Sequence, residues 1–149
     1  LNNALYNISV VAMAEVLTVA RESGLDPEAF VEVVRTGSGS SFGFNKFAPL
    51  CLLGHLQAPE HGYALGKAHK DMEVAHSAQV AVSPQLRLPV LEACSETYDR
   101  ALRQEELQLA GLAKGALIRV YEADLEALRR REGSREGTVT ASREAPPEA

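Results

Sequence analysis

Apolar residues recur along the first part of the chain with the spacing of one face of an α-helix. The recurring positions, three or four residues apart, are Leu5, Ile8, Ala12, Val16 and Val19. The segment is apolar on nearly all sides, which is typical of a helix at the centre of a domain. Gly24 follows it as a natural helix terminator. We therefore predict a long first helix that lies centrally in the fold.

The next segment, residues 25–37, carries the signals of a second helix. Asp26 can cap it, Pro27 suits the first helical position, and Gly37 can end it. Residues 44–62 follow without a regular period. They predict one or two short helical turns packed onto the core.

The second half of the chain predicts three more helices. Residues 63–82 place Leu65, Ala68, Met72, Ala75 and Gln79 on one face. Pro89 either kinks the following helix or marks its start. The expected inner face of that helix is Val90, Ala93, Cys94, Thr97 and Ala101. With a last helix from Glu105 to Arg130, the chain predicts an all-α fold, a multi-helix bundle around the first helix.

Composition changes near the end of the chain. Residues 131–149 have almost no apolar content, so they cannot bury enough surface to become ordered. We expect a helical domain over residues 1–130 and a disordered tail over 131–149. The chain begins at Leu1, without Met and already inside a helical pattern, so we also expect a piece of a longer protein.

Composition and charge exclude several classes of function. The 149 residues are 46% hydrophobic and 23% charged, as in ordinary globular domains. A net charge of −5 lacks the basic surface of a nucleic-acid binder. Cys51 and Cys94 match no metal or redox spacing and predict buried thiols in a reducing, cytoplasmic compartment. We expect no membrane-spanning run and no signal peptide.

The stretch TGSGSSFGF at residues 36–44 has the look of a phosphate-binding glycine turn. A dinucleotide-binding turn follows a strand and opens a helix, whereas Gly37 follows a predicted helix. The simpler interpretation is a helix C-cap followed by a flexible connector. The serines of this stretch could still contact a ligand across a cleft.

Residue types and spacing alone predict no complete catalytic or metal-binding set. His55 and His61 lack a third ligand nearby, and His69 and His76 lack the H-E-x-x-H spacing of a zinc site. Glu15 lies within an apolar run. It is either a functional carboxylate or, more often for such a residue, a hydrogen-bonded one.

A series of landmarks in order nevertheless resembles one family. The landmarks are Asn2-Asn3, AMAEVLTVARESGLDPEAF, GSGSS, Tyr63 seven residues before Lys70-Asp71, and a proline-initiated helix that reaches Tyr98. Over roughly residues 1–121 they resemble the C-terminal helical domain of the β-hydroxyacid dehydrogenases. This family includes 3-hydroxyisobutyrate dehydrogenase and is related to 6-phosphogluconate dehydrogenase, so the resemblance implies the bundle type of those C-terminal domains.

The resemblance implies an NAD- or NADP-dependent oxidation or reduction of a small hydroxyacid. The family pairs this helical domain with an N-terminal Rossmann domain, which holds the main cofactor site. Its catalytic lysine lies in a K-x-x-N-N pattern and would fall two positions before Leu1, so no catalytic residue is expected in this chain. The chain alone is then expected to be inactive and to form part of a homo-oligomer.

The resemblance also implies roles for residues that are present. Asn3 would orient the substrate by hydrogen bonds, with Ser38 and Gly39 of the GSGSS loop bordering the same cleft. Lys70 would reach the cofactor. Tyr63, where the family usually has Phe, and Asp71 would support the cleft.

The alternative is a non-catalytic helical module that serves assembly or interaction. The set Asn3, Lys70 and Asp71 discriminates between the two functions, because a packing module has no need to gather these residues at one cleft. RQEELQ replaces the glycine-bearing turn that the family has before its last helix, which leaves the substrate open.

Overall fold

The computed structural model describes the backbone of residues 1–141 and the side chains of residues 1–134. Within this part the chain forms six α-helices and no strand. The helices are α1 (Asn2–Glu22), α2 (Pro27–Thr36), α3 (Phe42–Leu53), α4 (Leu65–Val82), α5 (Pro89–Arg103) and α6 (Ile118–Ala141). Three short 3-10 turns between Glu105 and Leu117 join α5 to α6. The predicted all-α fold is confirmed.

α1 is central, as predicted, because α3, α4, α5 and α6 all pack against it. Its buried face differs from the predicted stripe, however. The buried residues are Ala4, Asn7, Val10, Val11, Met13, Ala14, Leu17 and Ala20. Leu5, Val16 and Val19 are exposed. A helix that is apolar on all sides has no polar face to mark its orientation, and the small alanines on the buried face allow neighbouring helices to approach closely.

The ends of α1 and α2 follow the expected local chemistry. Gly24 adopts a left-handed φ of +74° just after α1. The carboxylate of Asp26 accepts a hydrogen bond from the Ala29 backbone N–H at 2.8 Å, and Pro27 begins α2. These caps satisfy backbone groups that a helix end leaves free.

The prediction of short irregular turns over 44–62 was wrong for its first part, where α3 runs for 12 residues. Ser41 caps α3 by accepting a hydrogen bond from the Phe44 N–H, and Gly54 ends it in a left-handed conformation. Pro49 lies inside this helix. A proline in that position normally argues against a continuous helix, which is why the sequence pattern concealed α3.

α5 starts at Pro89, so this proline marks the start of the helix rather than a kink. Its buried residues are Cys94, Tyr98 and Ala101, whereas Val90 is exposed. The expected inner face was therefore only partly right. Cys51 and Cys94 are both free and buried, as predicted.

The last helix differs from the prediction at both ends. Residues 105–117, expected to begin it, form the 3-10 turns, and α6 continues past Arg130 to Ala141. The predicted disordered tail thus begins with helical backbone, and residues 142–149 lie outside the described part. The division into a domain over 1–130 and a tail stays a prediction.

α1 is also long and apolar enough, by length and composition, to cross a membrane, contrary to the expectation that no such run exists. In this fold 44% of its most apolar window is buried inside the bundle. Central helices of globular domains can be equally long and apolar, and the packing of α1 against the five other helices accounts for its apolar character.

The turn before α6 packs tightly on α3. A Cβ added to Gly115 would lie 2.8 Å from Cδ1 of the fully buried Phe47 ring. We expect Gly115→Ala to lower the free energy of unfolding by about 1–3 kcal/mol, because overpacking forces core side chains from their preferred positions. Gly111→Ala is the matched control, since nothing lies within 4 Å of its added Cβ. Equal urea midpoints for the two variants would contradict the close approach.

Candidate functional site

The candidate site lies where the start of α1 meets the first half of α4. The Asn3 side-chain amide donates a hydrogen bond to Oδ2 of Asp71 at 3.1 Å. Both residues come from the set that the sequence predicted for the cleft, although 68 positions separate them. Asn3 is exposed, and its own oxygen accepts a bond from the Asn2 amide at 3.4 Å.

A second contact between α1 and α4 lies one helical turn deeper. The buried Asn7 donates from its amide to the Ala68 carbonyl oxygen at 3.1 Å. Asn7 follows Asn3 by one turn, while Ala68 precedes Asp71 by about one turn. The two helices are therefore antiparallel here, and the two contacts are successive rungs between them.

Lys114, from the 3-10 turn before α6, completes this cluster, and the sequence reasoning missed it. The side chain is only 2% exposed. Its ammonium donates to Oδ1 of Asn7 at 2.7 Å and lies 3.4 Å from the centre of the Tyr6 ring. The available signal was a lone lysine within the apolar run LAGLAKGALI.

Burial sets the charge state of Lys114. Loss of solvation lowers the pKa of its ammonium from 10.5 to about 8, since a charged group is disfavoured away from water. The Asp71 carboxylate acts to raise this pKa and Lys46 acts to lower it. The positive charge of Lys114 is therefore coupled to the same carboxylate that holds Asn3.

Tyr63 belongs to the same cluster. Its carbonyl oxygen accepts the Lys114 backbone N–H at 2.9 Å, and the centre of its ring lies 5.8 Å from the Lys114 ammonium. Its other ring neighbour is the Lys67 ammonium, at 5.7 Å. The Tyr63 side chain is 46% exposed, so it forms part of the surface beside the buried lysine.

Lys70 directly precedes Asp71 on α4 and is exposed. It makes no ion pair with any side chain in residues 1–134. An exposed ammonium without a protein partner is free to meet an anionic group of a ligand.

The predicted loop residues Ser38 and Gly39 are exposed between α2 and α3. Gly39 borders an apolar groove of about 710 Å³ between α1, α2 and α3. Asn3 borders a different pocket, of about 670 Å³, with Tyr6 and Phe42. Ser9 and Ser41 line both. The structure thus brings Asn3 and Asp71 together and places the glycine loop beside a neighbouring groove.

The other polar groups singled out in the sequence have partners away from this cluster. Glu15 accepts a hydrogen bond from the Tyr121 hydroxyl of α6 at 2.9 Å. Burial, with this bond, raises the pKa of Tyr121. His69 pairs with Asp99 at 2.5 Å, and the His55 and His61 rings stack 5.1 Å apart. Among the described side chains, no three His, Cys, Asp or Glu residues form a metal site.

Comparison with known proteins identifies the family to which this chain belongs. Residues 1–121 match the family described as NAD-binding of NADP-dependent 3-hydroxyisobutyrate dehydrogenase. The chain belongs to this family, an NAD(P)-binding helical domain of 3-hydroxyisobutyrate dehydrogenase-like enzymes. The resemblance inferred from the sequence landmarks is confirmed, and NAD or NADP is the cofactor that the family description names.

One similar protein and three similar structures illustrate the relationship. The uncharacterized oxidoreductase YkwC of Bacillus subtilis (strain 168) is 28% identical over 97 residues, 65% of this chain and 32% of that protein. The 3-hydroxyisobutyrate dehydrogenase YgbJ from Salmonella typhimurium has a TM-score of 0.68 at 18% identity, covering 80% of this chain and 39% of that one.

The Mycobacterium tuberculosis 3-hydroxyisobutyrate dehydrogenase, solved with L-serine, has a TM-score of 0.69 at 18% identity, covering 80% of this chain and 40% of that one. Psf3 in complex with NADP+ and 2-OPP has a TM-score of 0.64 at 21% identity, covering 80% and 39%. Over the matched region, these structures share the all-α fold of this chain. The chain spans 32% to 40% of the length of the proteins it matches.

The lowered pKa of Lys114 predicts a specific dependence of stability on pH. Between about pH 8 and pH 10.5 the unfolded chain holds the Lys114 proton while the folded chain has released it. The contribution of Lys114 to the free energy of unfolding therefore rises with pH across this window. Cys51, Cys94 and Tyr98 have raised pKa values and act in the opposite direction.

Because other groups also titrate in this range, the test compares the free energy of unfolding of the wild type with that of a Lys114 variant at each pH. Urea unfolding of the wild type and of Lys114→Met is followed by circular dichroism at several pH values. The free energy of unfolding of the wild type minus that of Lys114→Met should increase from pH 8 to pH 10.5. A constant difference would show that Lys114 titrates alike in the folded and unfolded chain.

Proposed function

We propose that this chain is the substrate- and cofactor-cleft domain of an NAD(P)-dependent 3-hydroxyacid dehydrogenase. The observation that carries the proposal is the hydrogen bond between Asn3 and Asp71. It gathers at one place two residues that the family resemblance assigns to the cleft, with Lys70 next to them on α4. The non-catalytic module, the alternative from the sequence, gives no reason for this grouping.

Asn3 is the substrate-orienting group in this proposal. Its amide is exposed and already held by Asp71, so little rotational freedom is lost when it bonds a substrate oxygen. Gly39 lines the neighbouring groove and Ser38 directly precedes it, and both would border the cleft on that side. Tyr63 and Asp71 support it, the first beside Lys114 and the second by holding Asn3.

Lys70 is the cofactor-facing group in this proposal. Its exposed ammonium, without an ion pair among the described side chains, fits an anionic group such as a phosphate. The bound nicotinamide would supply the hydride acceptor or donor. Lys70 would hold the cofactor across the cleft, since a point charge on a flexible stem attracts a phosphate without rigid geometry.

A small hydroxyacid is the proposed substrate class. The family description and the names of the two similar dehydrogenase structures support it. L-serine, present with the Mycobacterium tuberculosis enzyme, carries both a carboxylate and a hydroxyl on the β-carbon. An exposed amide such as that of Asn3 can donate a hydrogen bond to either group.

The remaining parts of the enzyme are proposed to come from a longer protein. The proteins that this chain matches are about twice as long. A Rossmann domain before Leu1 would hold the main cofactor site, and a lysine two positions before Leu1 would lie one helical turn before Asn3 on the same face. That lysine would transfer the proton of the substrate hydroxyl.

Self-association through α1 is a further part of the proposal. Leu5, Val16 and Val19 form an exposed apolar stripe, and Val16 and Val19 also line the 710 Å³ groove. Apolar surface of this kind is typical of an interface between protein chains. The two buried free thiols support the expected cytoplasmic location.

Substitution of Lys70 tests the function directly in the protein expressed from its complete coding sequence. We expect Lys70→Met to raise KM for NAD or NADP about 10- to 150-fold, because one charge-assisted contact contributes about 1.5–3 kcal/mol. Lys67→Met is the matched control, since it removes an exposed lysine one turn earlier on α4, and it should leave KM near the wild-type value. The 149-residue chain alone should show no hydride transfer in the same absorbance assay. Equal effects of the two lysine variants would contradict the role of Lys70.

A further inference from the structure

Lys114 is an unusual way to fill a core position. It is 2% exposed, and its neighbours in the chain, including Ala113, Ala116 and Leu117, are fully buried. A buried charge costs free energy unless its partners compensate for lost water. A methionine of similar volume would fill the same space without that cost. The contacts of the ammonium must therefore show what the charge does.

The ammonium has few partners. Asn7 supplies an oxygen at 2.7 Å, and the rings of Tyr6 and Tyr63 have their centres at 3.4 Å and 5.8 Å. No carboxylate in residues 1–134 lies within ion-pair distance of it. The charged groups that affect the pKa of Lys114 are Asp71 of α4 and Lys46 of α3. Among the side chains of residues 1–134, Asn7 thus provides the one hydrogen-bond acceptor for this ammonium.

Asn7 transmits this contact to α4. Its oxygen accepts a hydrogen bond from the Lys114 ammonium while its nitrogen donates one to the Ala68 carbonyl oxygen, so both ends of the amide are fixed. Without the Lys114 side chain, the buried oxygen of Asn7 would lose this donor, and the amide plane would be free to turn away from Ala68. Loss of the Lys114 proton has a smaller effect in the same direction, because a neutral amine is a weaker donor than an ammonium. The rung at Asn7 and Ala68 would weaken, and the outer rung at Asn3 and Asp71 depends on the same spacing between α1 and α4.

We propose that Lys114 is a positioning residue of the cleft, which acts through Asn7 to hold α1 and α4 at the register where Asp71 fixes the Asn3 amide. The inference rests on the proposed function, because a fixed Asn3 amide is useful only if it faces a substrate. Lys114 itself touches neither pocket that Asn3 or Gly39 borders, so it acts through its neighbours.

Side-chain amide signals of Asn3 and Asn7 in nuclear magnetic resonance spectra of the 149-residue chain test the proposal. The chain is prepared with an acetylated N-terminus, which replaces the charged Leu1 amine, two residues before Asn3, by a neutral amide. At pH 7, Lys114→Met should move the Asn3 amide signals to their position in Asp71→Ala, where the pair cannot form. Lys46→Met, which removes an exposed lysine, should leave the Asn3 signals at the wild-type position.

The wild-type chain gives a second measurement that needs no variant. As the pH rises through about 8, the Asn7 amide signals should shift when Lys114 loses its proton, and the Asn3 signals should shift with the same midpoint. The other groups facing Lys114 are Tyr6, Tyr63, Asp71 and Lys46. Burial raises the pKa of the Tyr6 hydroxyl, so Tyr6 keeps its proton through this step.

Two results would overturn the proposal. One is a folded Lys114→Met chain in which the Asn7 signals move and the Asn3 signals do not. The other is a pH titration of the wild type in which the Asn7 amide signals shift as the pH passes about 8 and the Asn3 amide signals do not. This second result does not require the variant to fold. Neither measurement involves cofactor or substrate, so a failure of the proposed function would be seen separately, as absent cofactor binding by the longer protein.

Discussion

The buried amide of Asn7 is the contact on which the geometry of the candidate site depends. Its nitrogen is bonded to the Ala68 carbonyl oxygen of α4, and its oxygen is bonded to the Lys114 ammonium. An unpaired amide at this depth would cost several times what a typical hydrogen bond contributes. Three separate parts of the chain are therefore held at one spacing, and the outer pair of Asn3 and Asp71 forms at that spacing.

The relative strengths of the two hydrogen bonds between α1 and α4 indicate that the buried bond positions the exposed one. A hydrogen bond between exposed side chains, such as that of Asn3, contributes about 1 kcal/mol at most, because water competes for both groups. It cannot by itself hold two long helices in register. The buried rung can, since breaking it leaves polar groups without partners. In the proposed cleft, the exposed residues would thus be positioned by buried ones, which is the arrangement that a site for a small polar ligand requires.

Local signals in the sequence were enough for some elements and not for others. Asp26, Pro27 and Gly24 act over one turn, so the start of α2 and the end of α1 could be predicted from neighbouring residues. The face of α1 could not, because apolar residues surround that helix and only its tertiary neighbours select the buried side. α3 was hard to predict for a related reason. The local effect of Pro49 opposes a helix, whereas tertiary packing maintains one.

The residues of the candidate site also differ in whether they could be predicted from the sequence. Asn3, Lys70 and Asp71 were found through the resemblance to a family, and the contact between Asn3 and Asp71 followed from the fold. Lys114 could not be assigned, because its role depends on Asn7, 107 positions away, and a lone lysine in an apolar run has no distinctive spacing. Ser38 and Gly39 were expected at the same cleft, and their contact with a ligand stays a prediction.

The most direct test of the central claim, that this chain is one part of a hydroxyacid dehydrogenase, is to determine the coding sequence immediately upstream of Leu1. The account predicts a lysine codon two positions before Leu1, preceded by a domain that opens with a strand, a G-x-G-x-x-G turn and a helix. An initiation codon directly before Leu1 would contradict it, because the chain would then lack both the catalytic lysine and the main cofactor site.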